Sequence, residues 1–376
     1  MKKSFFFAAL AVVAMASCTK NELKVPSTGT DAVIFFQPVV ANATKAGYLT
    51  TANMATACTK FGVFAWYPNG GTMETTTTVG TLYMDNVTVT YKTFNDTSDE
   101  GSGTWAPSTT YYWPKNGKLS FDAYAPADAH AASTPGAGKG TFTSDIKKGL
   151  QIADYTVADL GNQYDLLYSK RAQNKNTSVG TENATYDGVD IAFKHALAAI
   201  EVTAKTAADY GTGAIKLNKV SILYAYNNGN FSQGMTDAIT EDTPVWDNQN
   251  NEVEYVLYDA GSTLSNGADL SQTPLTSLTS PAISNAILLP QDFIHTSGSG
   301  NHVSIKVDYS IKGTTDYLAQ TQTFKLNTTT VGSTPQTGWE MGKKYTYNFI
   351  FTLEDIHFAP SVTEWTEVTV NDIDVK

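Results

Sequence analysis

The sequence predicts an all-β protein of two tandem domains, and three observations carry that prediction. Apolar residues make up 41% of the chain and charged residues only 16%, with 20 Tyr, 17 Phe, 6 Trp and 28 Gly, a mixture that suits pleated, half-buried surfaces. Apolar and polar residues alternate strictly in several stretches, the period of a strand with one wet face. At 376 residues, a scale of about 150 residues per domain suggests two domains. The formal charge of −11 repels a phosphate backbone and excludes nucleic acid as a partner class.

Residues 1–17 read as an export signal, with Lys2 and Lys3, an apolar run from Phe5 to Val13, and small residues leading to Cys18. The run is too short for a bilayer core of about 30 Å, so the leader is not a membrane span. Two processing sites compete. Ala14-Met15-Ala16 fits ordinary signal peptidase, whereas Met15-Ala16-Ser17-Cys18 resembles a bacterial lipobox, with Met15 where Leu is usual. The second is favoured and implies lipid on Cys18, anchoring the chain without embedding it. Residues 18–30, punctuated by Pro26 and Gly29, form a tether. With Cys18 capped, Cys58 has no partner and reads as a packed small residue; no disulfide framework is available.

Strand candidates follow in order: Val33 to Phe36, Phe61 to Tyr67, Val87 to Tyr91, Tyr111 to Trp113 and Leu119 to Tyr124 in the first half. The second half offers Val220 to Tyr226, Val253 to Tyr258, Ile287 to Leu289, Val303 to Ile311 and Tyr345 to Leu353. Asn69-Gly70-Gly71 reads as a turn, and Asn116-Gly117 and Asn227-Asn228-Gly229 as tight hairpins. Val189, Ile191, Phe193, His195 and Leu197 alternate with one parity, and Ile200, Val202 and Ala204 with the other. One strand bulged at Ala198-Ala199 reconciles them. The polar run Lys170 to Gly188 marks a boundary, dividing the chain into β-rich domains at 31–183 and 184–376.

Signatures of catalysis are missing: the chain holds no G-x-S-x-G, H-E-x-x-H, C-x-x-C or EF-hand loop. Gly136 to Thr141 lacks the Walker spacing and reads as a mobile glycine-rich loop. The five histidines have no partner at metal-binding spacing, and His302 reads as a solvated surface residue. Asn95, Asp96, Asp99 and Glu100 read as a solvated acidic turn rather than a calcium site. No catalytic residue, metal ligand or cofactor is predicted, and the chain is not expected to be an enzyme. Trp66, Tyr67, Trp105, Tyr111, Tyr112 and Trp113 are aromatic enough to suggest a competing reading, a membrane-tethered glycan-binding lipoprotein, although such rings more often pack in cores.

Several segments in order resemble the fimbrillin family of Bacteroidetes, the lipoprotein-derived subunits of type V pili. They are Thr44-Lys45-Ala46 before Phe61-Gly62-Val63-Phe64-Ala65, Trp105, Tyr112-Trp113-Pro114, and Leu119 to Pro126. Asp165-Leu166-Leu167, Ile191 to Leu197 and Trp339 to Tyr347 complete the series.

That resemblance implies two transthyretin-like Greek-key β-sandwich domains in an outer-membrane lipoprotein displayed at the cell surface. It implies that a protease removes the first strand and that a neighbouring subunit's strand fills the groove, by β-augmentation. The removable strand would lie within residues 32–40, carried by Val33, Ile34, Phe35 and Phe36, with processing at Lys45. The family usually has Arg there, and the only arginine in this chain is Arg171; an uncut subunit would be an anchor or terminal component. Val368 and Val370 would belong to a donated strand or, equally, to the closing strand of the second domain. Expected partners are other pilus subunits through strand addition, outer-membrane lipid through Cys18, and host or bacterial surface ligands.

Overall fold

The computed structural model describes residues 33–40, 49–68, 80–92, 104–115, 117–130, 138–176, 188–235, 243–295, 301–328, 330–331 and 334–365. The first strands are β1 (Phe36–Val40), β2 (Lys60–Tyr67), β3 (Thr81–Tyr91), β4 (Trp105–Pro107), β5 (Leu119–Ala125), β6 (Lys139–Asp145), β7 (Gly149–Thr156), β8 (Leu167–Ser169), β9 (Ala172–Lys175) and β10 (Val189–His195). They continue as β11 (Ala198–Thr206), β12 (Ile215–Ser232), β13 (Val245–Asp259), β14 (Ala268–Asp269), β15 (Ala286–Leu288), β16 (Gln291–Asp292) and β17 (Ser304–Lys312). The last are β18 (Tyr317–Lys325), β19 (Thr330–Val331), β20 (Thr334–Pro335), β21 (Gly338–Trp339), β22 (Lys343–Phe351) and β23 (Ile356–Glu364). Among the described residues the α-helix is a single turn, Met54–Ala57, so the all-β expectation holds.

The first sheet follows the order β2-β3-β4-β1-β10-β8-β5-β9, and β5 also pairs with β2. Seven strands therefore close into a ring, with β9 appended to β5. The closure is barrel-like, where the first half was expected as a transthyretin-like Greek-key sandwich. The reason is written in β2 and β5. β5 is buried throughout and β2 from Phe61 to Ala65, because alternate side chains serve two cores. Phe61, Val63, Phe121 and Ala123 point into the ring. Phe64 and Tyr124 point out of it into a second, larger core. A Cβ on Gly62 would collide with the Tyr124 ring, so glycine is what lets these strands approach.

That larger core lies between two further sheets. One has seven strands, in the order β18-β17-β12-β7-β6 with β13 and β14 also on β12; the other runs β15-β11-β22-β23. Leu217, Ile222, Ile305 and Val307 from the first meet Ile200, Val202, Tyr347 and Phe349 from the second. Removing such apolar surface from water stabilises by roughly 25 cal/mol per Å². The hairpin β6–β7 precedes the polar run at 170–188 yet pairs with β12 through Asn228↔Thr156 and Phe231↔Ile152. The two halves share a sheet and a core.

Several expectations change here. Residues 189–206 are not one bulged strand: β10 belongs to the ring and β11 to the four-stranded sheet. The switch of parity comes from crossing between sheets at Ala196-Leu197. Asn227-Asn228-Gly229 forms no hairpin but continues β12, an 18-residue strand. Register shifts against β13 absorb the irregular positions, and Asn251 and Asn250 donate across the pair to Asn227 and Asn228 at 2.6 and 3.2 Å. Lys139, Gly140 and Thr141, expected in a mobile loop, start β6. His302 is half-buried and bridges Ile294 instead of standing on a wet face. Asn69 to Gly71, Asn95 to Glu100 and Asn116 lie outside the described residues.

Arg171, the only arginine, is buried and fastens the ring to the β6–β7 hairpin. Its Nε and Nη2 donate to Asp122 Oδ1 and Oδ2 at 2.8 and 2.6 Å. Nη1 donates to the Ile146 carbonyl at 2.6 Å and Nη2 to that of Asp145 at 2.9 Å. Ser144 also donates to Asp122, and accepts from Trp66 Nε1 at 2.8 Å. Bidentate geometry, with further bonds from Nη1 and Nη2 to backbone carbonyls, is what holds a buried ion pair.

Candidate functional site

The site that stands out is the slot occupied by the first strand. Pairing to one neighbour is extensive. β1 runs parallel to β10 over five registered pairs, from Phe36↔Val189 to Val40↔Phe193. On its other side it meets β4 at one position, Phe36↔Trp105. Upstream, the backbone N–H of Ile34 donates to the Tyr111 carbonyl at 2.9 Å and Val33 bridges Tyr112. Downstream, the Thr51 hydroxyl accepts from Val40 N–H at 2.8 Å and donates to the Val40 carbonyl at 3.0 Å. A side chain thus closes the strand's end.

Alternation places Ile34, Phe36, Pro38 and Val40 inward and leaves Gln37 exposed. Phe36 packs edge-to-face on Phe61 at 5.9 Å and on Phe121 at 5.5 Å between ring centroids. Burying Ile34, Phe36 and Val40 stabilises by roughly 5–9 kcal/mol in total, at about 1.5–3 kcal/mol per large apolar side chain. Pro38 has no N–H, so this position offers no donor to a ladder. Gly188 sits at φ +113°, and a Cβ there would press against the Phe36 backbone at 3.1 Å; only glycine admits β1 this closely. The strand is held by one full ladder and its apolar side chains, with little bonding to β4.

Next to the slot, the chain downstream of Lys45 and the chain leading to the C-terminal tail meet. The backbone N–H of Leu49 donates to Asp165 Oδ2 at 2.7 Å. Asp165 Oδ1 pairs with His195 Nδ1 at 2.9 Å, and the His195 ring stacks on Trp365 at 3.8 Å with 3° between planes. Asp165, His195 and Trp365 are all buried. This joint was not visible in the sequence, although Asp165 and His195 both fall inside quoted motifs.

Of the residues singled out from sequence, Val33, Ile34, Phe35 and Phe36 fall together in the slot. Cys18, Lys45, Val368 and Val370 lie outside the described residues. Pro360 to Glu364 belong to β23, paired antiparallel with β22. Cys58 is 8% exposed, its Sγ donates to the Lys60 carbonyl at 2.9 Å, and burial pushes its pKa up to about 11. A thiol held neutral in this way is a packing group. Trp105 and Trp113 are core residues at 7% and 8% exposure, whereas Tyr112 is 46% exposed. Among the described residues no group of three or more His, Cys, Asp or Glu side chains is placed to hold a metal ion, and no helix is long and apolar enough to cross a membrane.

The chain matches a family model described as Fimbrillin-like over residues 44–365. No curated protein matches it. Among solved structures, a fimbrial protein from Bacteroides vulgatus is similar at 18% identity and a TM-score of 0.56, over 89% of this chain and 99% of that one. A putative cell adhesion protein from Bacteroides uniformis aligns at 16% identity and TM-score 0.48, over 89% of this chain and 99% of that one. The tip fimbrial protein Mfa3 from Porphyromonas gingivalis aligns at 10% identity and TM-score 0.40, covering 89% of this chain and all of that one, 100%.

Proposed function

Because the chain belongs to the fimbrillin-like family, whose model spans residues 44–365, we propose that it is a non-enzymatic structural subunit, or an accessory or anchor component, of a type V pilus. In this reading Cys18 carries lipid and delivers the precursor to the outer membrane. Cleavage near Lys45 frees β1, and a strand from another subunit takes its place. The observation that carries the proposal is the way β1 is held. Taking it out opens the ring, exposes the unpaired backbone of β10, and leaves apolar pockets around Phe61, Phe121 and Trp105 spaced for alternate side chains of an incoming strand. A head-to-tail contact of this kind does not close on itself, which gives a fibre. The tandem transthyretin-like description belongs to this reading too, with the facing sheets of the second half as its sandwich.

Of the rings behind the glycan-binding alternative, Trp105 and Trp113 face the core. The test has two steps. N-terminal sequencing of protein recovered from cells should find a chain beginning near Ala46 for a polymerising subunit, or a blocked Cys18 for an anchor. A chain beginning at Ala46 should then take up a partner's strand. If it remains monomeric beside its partner subunits, strand exchange is wrong.

A further inference from the structure

Far from the slot, β18 forms an edge of the seven-stranded sheet and among the described residues pairs only with β17. Natural edges are usually blunted by proline, inward charge or a bulge. β18 has none of these: its sequence is Tyr317-Leu-Ala-Gln-Thr-Gln-Thr-Phe-Lys325, its register with β17 is unbroken over nine pairs, and its single charge is the terminal Lys325.

The sequence is also symmetric in chemistry about Thr321. If two copies lie antiparallel and centred there, Gln320 faces Gln322, Ala319 faces Thr323, Leu318 faces Phe324 and Tyr317 faces Lys325. No like charges oppose one another, and the axis sets Thr321 against Thr321, a favourable cross-strand pair. Leu318 is 59% exposed. At the symmetric position an open groove of about 470 Å³ lies between β18 and β23, lined by Phe324, Phe358 and Pro360. The centred register brings each copy's Leu318 to the other's Phe324, at the mouth of that groove. Charge favours the same edge. On a chain of net −11, the centre of β18 and the ion pair alongside it on β17 amount to a near-neutral patch, with Lys306 and Asp308 paired at 3.3 Å and Thr321 donating to Asp308 at 2.6 Å.

We propose that β18 is a homotypic docking edge, through which two copies of this chain join antiparallel about a two-fold axis at Thr321, each Leu318 seated beside the other's Phe324. Such a contact is isologous and stops at two copies. It lies in a different sheet from the β1 slot, so it would link chains laterally, independently of strand exchange.

The test uses the full chain with Cys18→Ser, which carries no lipid, in sedimentation equilibrium. A concentration-dependent dimer is expected, weakened about tenfold or more by Leu318→Lys. Ala319→Lys/Thr323→Lys, which sets like charges face to face, should give monomer only. These side chains are exposed, and an unchanged circular-dichroism melt confirms that each variant is folded. Thr321→Cys should form a disulfide-linked dimer on oxidation, since residues on the axis come within disulfide reach. The proposal is overturned if the parent chain is monomeric at about 100 μM, if the dimer survives the lysine pair, or if the Thr321→Cys variant does not cross-link. Protection of β18 amides from exchange in a monomer would also overturn it, because another segment would then cover the edge.

Discussion

Arg171 shows how much one residue can organise. Its guanidinium meets Asp122 with two donors and two carbonyls of the β6–β7 turn with two more, so removing it strands a buried carboxylate and takes a partner from two part-buried carbonyls. Arg171→Ala should cost about 3–5 kcal/mol in urea unfolding, the usual cost of breaking a buried pair from one side. Asp122→Leu with Arg171→Met should recover part of that loss, because it removes the stranded carboxylate while the two carbonyls and the Ser144 hydroxyl still lose their partners. Composition announced this residue as solitary, but not as structural. Its partner lies 49 positions away, and nothing local to Ala123 or Ala172 indicates the pairing. The packed role of Cys58, by contrast, was legible from its small apolar neighbours.

At the level of the element, legibility follows the number of wet faces. β17 and β22 alternate cleanly and were readable, since each turns one face to the core. β18 is polar and largely exposed on both faces, so no period marks it, and the start of β6 lies under glycines that resemble a loop. The slot strand was legible as apolar sequence, but its parallel pairing with β10, 153 positions apart at Phe36↔Val189, is a tertiary fact. Phe36→Ala should destabilise by about 3–5 kcal/mol through cavity formation. Because Phe36 packs against Phe61 and Phe121, the same variant should release β1 faster once the chain is cut near Lys45. Mass spectrometry of the freed peptide over time measures that rate.

For the whole molecule, the shared core sets the behaviour. The hairpin β6–β7 completes a sheet whose other strands all lie beyond residue 200, and the large cluster runs from Phe64 to Trp365. Calorimetry should therefore record one cooperative transition for the two halves, with van't Hoff and calorimetric enthalpies in agreement. Two resolved transitions would mean that the polar run at 170–188 separates independent units. The β-rich character of both halves was readable because composition and alternation repeat. The barrel-like closure was not, since it depends on β2 accepting both β3 and β5 as neighbours.

The pairing of β1 carries one more consequence. Its neighbours run in opposite senses, β10 alongside it and β4 against it. Parallel ladders have evenly spaced, slanted bonds and antiparallel ladders alternating perpendicular ones, so turning a strand end for end exchanges the pattern on both sides at once. The backbone around the slot is therefore vectorial. In the proposed strand exchange, a strand that keeps both of these pairings has one heading, and an assembly grown in that way has a defined front and back from its first joint.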